Sequence, residues 1–304
     1  MNAPILLLIS LAATAHGSPS EFFRTSGINW PFKKAHAKMA TETPSPTEEQ
    51  EQAELATPAT PVEPRIRVIL DAGHGGHDHG AQIAGLVREK EVCLRIAKLA
   101  QSRLERLANV HDVPLDVSLT RGADHFVPLR DRAARANEWG ADFFVSIHAN
   151  SSPVVKARGF EVYFLSNEAT DADASRVARK ENQEAAQPMS AGILSILSDL
   201  QTNAHILESS RFAEVVHSSL SQRVRPNGKG VRQAPFTVLA GTQMPALLVE
   251  VGYLTHPEEA RALLKTSYQD KLAIGIAEGI LNAARRLRRP AKELPSFAPR
   301  LSSF

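Results

Sequence analysis

The chain has 304 residues, of which 43% are hydrophobic and 22% are charged. This composition supports one sizeable core with appendages and argues against a second full domain. Lys and Arg number 35 against 33 Asp and Glu, and basic residues are not interleaved with aromatic ones, so we expect no nucleic-acid partner. The single cysteine, Cys93, excludes an internal disulfide.

The first residues have the pattern of an export signal. Residues 4–15 are apolar, too few to span a bilayer, and of the length of a signal-peptide core. Small residues follow, with candidate cleavage sites after Ala15 and Gly17, although no Lys or Arg precedes the stretch. We predict a signal peptide over residues 1–17, a periplasmic or secreted protein, and no membrane span in the mature chain. The alternative is a short buried helix.

Residues 18–64 are predicted to be a linker. Residues 40–64 are rich in Pro, Thr and Glu and nearly free of large apolar side chains. Such a segment cannot bury enough apolar surface to offset the entropy of ordering. An aromatic patch between Phe22 and Phe32 precedes it and has no clear period.

From residue 65 onward, strands and helices alternate. Apolar residues at helical spacing (Val92, Ile96, Leu99 and Leu107; Leu129, Ala133 and Ala136) predict two helices, and a third is predicted over 268–287 with Arg285 and Arg286 at its negative end. The predicted strands are 67–71, 115–119, 143–148, 160–165, 236–239 and 246–251. This pattern predicts an α/β fold: a single central, mostly parallel or mixed sheet of about six strands with helices on both faces. We place this domain at 65–288 and expect a flexible tail over 289–304, after Pro290.

One segment breaks the alternation. Residues 167–205 separate two predicted strands with a polar, alanine-rich, helix-forming stretch. Long insertions in compact domains are either functional lids or disordered segments.

Three polar residues end or interrupt apolar runs. His74 follows the first strand, His148 ends the third, and Glu250 lies between Val249 and Val251 in the last. Ligands of open α/β sheets gather at the carboxyl ends of the strands, so these side chains are expected to converge. A lone histidine is more often a loop or core residue, and the combination makes a site the better interpretation.

Glu89 adds a carboxylate to this group. It begins the first helix, on the same face as Val92 and Cys93, and a buried carboxylate is costly without a positive partner. Its alternative is a first-turn glutamate that interacts with the helix dipole. Two imidazoles and a carboxylate are the ligand set of hydrolytic zinc sites.

Hydrolysis at such a site also needs a base, because a proton must be taken from water and returned. Glu250 fits that role, with a solvent-facing glutamate as the alternative. His77 and His79 allow a local metal clip with His74, which we rank lower because the glycine-rich stretch is flexible. Arg121 and Asn150 are candidates to orient ligands or substrate, and Arg121 could equally cap a helix.

Five ordered segments resemble the zinc-dependent N-acetylmuramoyl-L-alanine amidases of bacterial cell walls, over roughly residues 65–288. They are Asp71-Ala-Gly-His-Gly-Gly, Arg88-Glu-Lys-Glu-Val-Cys-Leu, Leu119-Thr-Arg, Ser146-Ile-His-Ala-Asn and Leu248-Val-Glu-Val-Gly-Tyr-Leu-Thr. The resemblance implies Zn²⁺ held by His74, Glu89 and His148, with Glu250 catalytic. It also implies the substrate: peptidoglycan, cleaved at the amide between N-acetylmuramic acid and L-alanine of the stem peptide. Two positions depart from the family pattern, Ala72 and His79, where the family often has Pro.

The division-associated members of this family carry an inserted helix that plugs the site until a LytM-type activator protein withdraws it. The insertion at 167–205 resembles that element, with Glu181 as the candidate plug and Glu184 second. The alternative is a surface helix whose charges are solvated. For the whole protein, the remaining alternatives are a zinc metallopeptidase that cuts within the stem peptide and a non-catalytic wall-binding protein.

Overall fold

A computed structural model describes residues 64–83, 87–183 and 200–287, with only the backbone for residues 200–204. The predicted signal peptide, nearly all of the linker, Glu184 and the tail lie outside these residues. The described residues fall within a compact unit that spans residues 61–304.

The centre of the fold is a six-stranded sheet. Its strands are β1 (Ile66–Ala72), β4 (Leu115–Leu119), β5 (Phe143–Asn150), β6 (Phe160–Leu165), β7 (Pro226–Ala234) and β8 (Ala246–Tyr253). Their order across the sheet is β4-β1-β5-β8-β6-β7. Only β6 and β8 pair antiparallel, and the other neighbours are parallel. The predicted mostly parallel, mixed sheet is therefore confirmed.

Helices cover both faces of this sheet. They are α1 (Glu89–Val110), α2 (Leu129–Trp139), α3 (Ala172–Glu181), α4 (Leu200–Ser221), α5 (Pro257–Leu263) and α6 (Thr266–Leu287). Successive residues of a strand point to opposite faces, and in β1 Val68 and Leu70 join the core under α1, α4 and α6. Ile69 joins the core under α2 and α3.

A short hairpin leads the chain from the sheet into α1. Its strands are β2 (Gln82–Ile83) and β3 (Val87–Arg88), which pair antiparallel. Because α1 begins directly after β3, the hairpin fixes where Glu89 enters the fold.

One predicted strand was wrong. Residues 236–239 form a turn, and the strand is β7, which precedes them. The apolar run Phe236, Val238 and Leu239 is buried against the core under α3 rather than in the sheet. β7 escaped prediction because it is polar and contains Gly228 and Gly230, so it lacks the apolar alternation that marks a half-buried strand.

None of the described helices combines the length and the apolar content that crossing a bilayer demands.

Candidate metal centre

Three of the predicted site residues meet at one edge of the sheet. Ala72 of β1 pairs with Ile147 of β5, so His74 follows at the same level as the end of β5. In the next pair of strands, His148 stands opposite Glu250 of β8. Parallel register therefore brings together residues that are far apart in the chain.

Four side chains at this edge can share one cation. Ligand atoms of His74, Glu89, His148 and Glu181 all lie within 4.8 Å of one another, and all four residues are buried. His74 Nε2 lies 3.0 Å from Glu89 Oε1 and 3.3 Å from Glu181 Oε2. His148 Nδ1 lies 3.2 Å from Glu89 Oε1 and 2.9 Å from Glu181 Oε2. Ligands of a tetrahedral zinc ion stand roughly 3.3 Å apart, so the two imidazoles and two carboxylates fit that ion.

Both carboxylate oxygens of Glu89 accept hydrogen bonds from the backbone. Oε1 accepts the backbone N–H of Ala149 at 2.9 Å, and Oε2 accepts that of Ala81 at 2.7 Å. The side chain is fully buried and faces the two histidines. Glu89 therefore points inward, as expected, and it does more than interact with the dipole of α1.

Close approaches explain the glycines around His74. A Cβ at Gly73 would lie 2.5 Å from His148 Cε1, and one at Gly80 would lie 2.6 Å from His74 Cδ2. His74 itself has a φ of 59°, in the left-handed region that is unusual for a side chain with a Cβ. Its Nδ1 hydrogen-bonds with the carboxylate of Asp78, which leaves Nε2 facing Glu89 and Glu181.

Two buried arginines hold the loop that carries His74. Arg121 donates to the carbonyls of Ala72, Gly73, Lys90 and Ala123. Arg132 donates to the carbonyls of Ala72, His74 and Val127 and to the Asp71 carboxylate at 2.9 Å. Arg121 thus neither faces the metal-binding atoms nor caps a helix end.

Sequence reasoning missed Arg132 and the role of Asp71. Asp71 also accepts hydrogen bonds from Thr120 and Ser146. Burial alone would raise the pKa of its carboxyl, but Arg132 and the two hydroxyls outweigh burial and lower it. A charged residue inside the run Val-Ile-Leu-Asp-Ala was the available signal.

The charges around the cluster favour a cation. Burial opposes protonation of His148, but the carboxylates of Glu181 and Glu89 outweigh it and raise its pKa to about 9. Burial likewise opposes ionisation of Glu89, yet His74 and Lys180 bring its pKa well below the ordinary value. The negative potential that draws protons to the imidazoles would draw a divalent cation as well.

Glu250 lies beside this cluster and is fully buried. Neither of its carboxylate oxygens has a hydrogen-bond partner among the described residues. Burial raises the pKa of its carboxyl well above the ordinary value, and the carboxylates of Glu181 and Glu89 add to the rise. The solvent-facing alternative is wrong, and the group is suited to exchanging protons.

The same fold and sequence pattern occur in known proteins. The family model described as N-acetylmuramoyl-L-alanine amidase (Amidase_3) matches residues 68–282. The chain belongs to this family. It is 35% identical to the amidase AmiA of Escherichia coli K12 over 222 residues, which cover 71% of the chain and 75% of AmiA. It is 32% identical to AmiC of Neisseria meningitidis over 75% of the chain and 56% of that protein.

Solved structures agree with this assignment. The amidase AmiC2 of Nostoc punctiforme superposes with a TM-score of 0.54 at 32% identity, covering 74% of the chain and 98% of AmiC2. An amidase from Clostridium difficile 630 gives a TM-score of 0.55 at 28% identity, covering 72% of the chain and 96% of that protein. The amidase resemblance and the fold class are thereby confirmed.

The local metal clip is wrong for this amidase. The ring of His77 packs against Phe126, with ring centroids 4.3 Å apart. His79 Nδ1 is buried without a hydrogen-bond partner in the described part of the chain, and His79 is not in the metal-binding group. Of the three neighbouring histidines, only His74 reaches the centre.

Asn150 belongs to a second polar group of the amidase, centred on Glu161. The Glu161 carboxylate is fully buried and lies opposite Glu250 in the β6–β8 pair. It accepts hydrogen bonds from five side chains: Asn150, Tyr163, Asn227, Arg232 and Tyr253. Sequence reasoning missed Glu161, although its position within the apolar strand Phe-Glu-Val-Tyr-Phe was a signal.

Proposed function

We propose that this amidase is a zinc-dependent peptidoglycan hydrolase that cleaves the amide between N-acetylmuramic acid and L-alanine of the stem peptide. The observation that carries the proposal is the buried group of His74, Glu89, His148 and Glu181, with ligand separations suited to a tetrahedral ion. His74, Glu89 and His148 would stay bound to the ion when α3 withdraws, because none of them belongs to α3. His74 lies in the loop after β1, Glu89 begins α1, and His148 belongs to β5.

A zinc ion held there would acidify a water molecule and polarise the amide carbonyl. Glu250 supplies the proton transfers. Its carboxylate takes a proton from the attacking water and returns it to the leaving nitrogen of L-alanine. The raised pKa of Glu250, which is caused mainly by burial, suits the first step, because a stronger base accepts the proton of water more readily.

Digestion of purified peptidoglycan tests this proposal. The expected fragments carry a free stem peptide that begins with L-alanine, as read by mass spectrometry. Glu250→Gln should reduce turnover by about 10²- to 10⁴-fold and keep zinc content unchanged, while Glu168→Gln, an exposed control, should change neither. Fragments cut within the stem peptide would instead identify a metallopeptidase, and wall left undigested by both wild type and Glu181→Gln would identify a wall-binding protein.

We further propose that α3 inhibits the site by placing Glu181 among the ligands. Glu181 is the last residue of α3, and its Oε2 lies 2.9 Å from His148 Nδ1. The neighbouring Lys180 donates to Glu181 Oε1 at 2.9 Å and to Glu89 Oε2 at 3.3 Å. A carboxylate there occupies the position that water needs, so activity would require withdrawal of α3, by a LytM-type activator protein.

Glu181→Gln tests inhibition with two opposite expectations. Basal hydrolysis should rise because the competing anion is gone, and zinc affinity should fall because a ligand is gone. Glu168→Gln, in the same insertion but exposed, should change neither quantity. A loss of both activity and zinc would make Glu181 a permanent ligand and contradict inhibition.

The location of the protein is also a proposal. The apolar residues 4–15 and the small residues after them support export to the periplasm or the medium. Fractionation of cells that produce the full chain, with the mass of the mature protein, tests it: loss of residues 1–17 is expected, and an intact cytoplasmic chain would contradict export.

A further inference from the structure

A second charged contact holds α3 at the end remote from Glu181. Asp171, the residue that caps α3, hydrogen-bonds with Arg232 of β7. Asp173 lies 3.6 Å from Arg232 and 3.2 Å from Lys229 Nζ, and Asp171 lies 3.7 Å from Lys229 Nζ. Two carboxylates of the insertion therefore face two cations of the sheet edge.

The helix joins this contact to the metal centre. Glu181 is ten positions after Asp171, which is about 15 Å along a helix. The strands beneath run β5, β8, β6 and β7, and three strand spacings come to roughly 14 Å. Between its charged ends, α3 packs Ala174, Val177 and Ala178 on the apolar core. It thus lies over the path from His148 to Arg232.

That path matches the length of a short peptide. Register places His148 opposite Glu250, Glu250 opposite Glu161, and Tyr163 opposite Arg232. β7 is two strand spacings from β8, or about 10 Å, and Arg232 is offset from Glu250 by two residues along the strands, or about 7 Å, so the two positions are roughly 12 Å apart. An extended peptide advances about 3.3–3.6 Å per residue. A chain with its scissile amide at Glu250 would therefore bring the side chain of its third residue within reach of Arg232.

Arg232 is arranged to bind a carboxylate. Its Nη1 donates to Glu161 at 2.8 Å and to the Tyr163 hydroxyl at 2.7 Å, and the guanidinium lies over the Tyr163 ring. These contacts fix the plane of the guanidinium, while Nη2 faces Asp171. A planar guanidinium held in this way recognises carboxylates through paired donors.

The single negative charge of Glu161 does not neutralise both Arg232 and Lys229. Its carboxylate already accepts five hydrogen bonds, whereas Lys229 has only Asp171 and Asp173 as anionic partners in the described part of the chain. Withdrawal of α3 would leave one positive charge in excess beside Arg232. An anion from the substrate would restore the balance.

We propose that Arg232 and Lys229 bind a carboxylate of the stem peptide, about three residues from the scissile amide, and that Asp171 and Asp173 occupy this place while α3 is seated. The inhibitory helix would then imitate the substrate at both of its ends. This inference rests on the proposed withdrawal of α3.

Matched substrates test the catalytic part of this inference. Two muramyl peptides, identical except for a carboxylate or a carboxamide on the third residue, are compared in the Glu181→Gln background of the full chain. The carboxylate should be favoured about ten- to hundredfold in kcat/KM, mainly through KM. Lys229→Gln should reduce this preference, and Lys156→Gln, an exposed lysine of the β5–β6 loop, should leave it unchanged. Equal kcat/KM values would make Arg232 and Glu161 a purely structural ion pair and overturn the proposal.

A binding measurement keeps the inference testable if inhibition by α3 is wrong. Asp171→Asn with Asp173→Asn removes both anions, and asparagine can still cap α3. The free stem peptide should bind this variant more tightly than wild type, and its third-residue carboxamide should bind about tenfold more weakly. Equal affinity of the two peptides for the variant would overturn the carboxylate site, whatever Glu181→Gln does to activity.

Discussion

The metal centre draws its groups from two regions that are fixed in different ways. His74, His148 and Glu250 belong to the ends of strands and their loops, where sheet hydrogen bonds and buried arginines set the backbone. Glu181 belongs to α3, which rests on the sheet through small apolar side chains and through charged contacts at its ends. In the proposed function, the rigid part would bind the ion and the separable part would cover it.

The polar contacts of the two regions differ in kind. Arg121 and Arg132 donate to backbone carbonyls on both sides of Gly73. Moving that backbone would leave buried carbonyls and guanidinium groups unpaired, which is costly. The contacts of α3 are made mainly by side chains, and several lie at the surface, so water can replace them at a lower cost.

The largest expected effect is in the rigid region. Arg132→Met leaves the fully buried Asp71 carboxylate without its cation, and breaking a buried pair costs about 3–5 kcal/mol of unfolding free energy. Urea denaturation measures the change. Arg130→Met, on the exposed side of the same helix, should cost less than about 0.5 kcal/mol. Similar costs for the two variants would contradict the supporting role of Arg132.

The same pair predicts a pH dependence. The pKa of Asp71 is lowered in the fold, so the folded chain binds this proton less tightly than the unfolded chain. Its stabilising contribution is complete above the unfolded pKa of about 4 and is lost as pH falls through the lower, folded pKa. Asp71→Asn should therefore destabilise the protein at pH 7, and the difference from wild type should shrink below pH 4. A difference independent of pH would exclude ionised Asp71 as its cause.

An intermediate effect is expected at Asp78, which orients His74 through Nδ1. Asp78→Ala should lower zinc affinity by about 10- to 100-fold, as for other residues that hold a metal-ligating histidine. Asp78→Asn keeps a hydrogen-bond acceptor, so its zinc affinity should lie between those of wild type and Asp78→Ala. Competition with a chelator gives the affinities, and circular dichroism checks that the fold is kept. An unchanged affinity in Asp78→Ala would show that the loop alone positions His74.

The smallest effect is expected in α3. Val177→Ala removes two buried carbons, or about 1.6 kcal/mol of apolar burial. Hydrogen exchange should become faster in α3 and stay unchanged in β5, with a modest rise in basal activity. Arg179→Ala, on the exposed face of the helix, is the matched control. Equal acceleration in α3 and β5 would mean that the two regions open as one unit, against the division proposed above.

Local sequence patterns predicted the groups of the rigid region well. His148 and Glu250 were found because each ends or interrupts an apolar strand, and Glu89 because it shares a helical face with Val92. Such patterns follow from the backbone periods of strands and helices. Parallel strands then bring their ends to one edge, so the convergence could be expected before any distance was known.

Other features left no local pattern. β7 is a polar edge strand, and the apolar run after it packs as a turn. Arg132 lies in an ordinary amphipathic helix, and only its packing against β1 shows that it is buried under His74. Glu161 and Arg232 become partners through the β6–β7 register, which joins segments about seventy residues apart.

The sequence by itself determined which residue types end the strands, which glycines allow close approach, and that strands and helices alternate, because these depend on neighbours in the chain. Tertiary structure decided that His74 rather than His77 or His79 enters the centre, and that Glu181 reaches it from α3. Those outcomes depend on strand register and helix packing. Both are set by the burial of side chains that lie far apart in sequence.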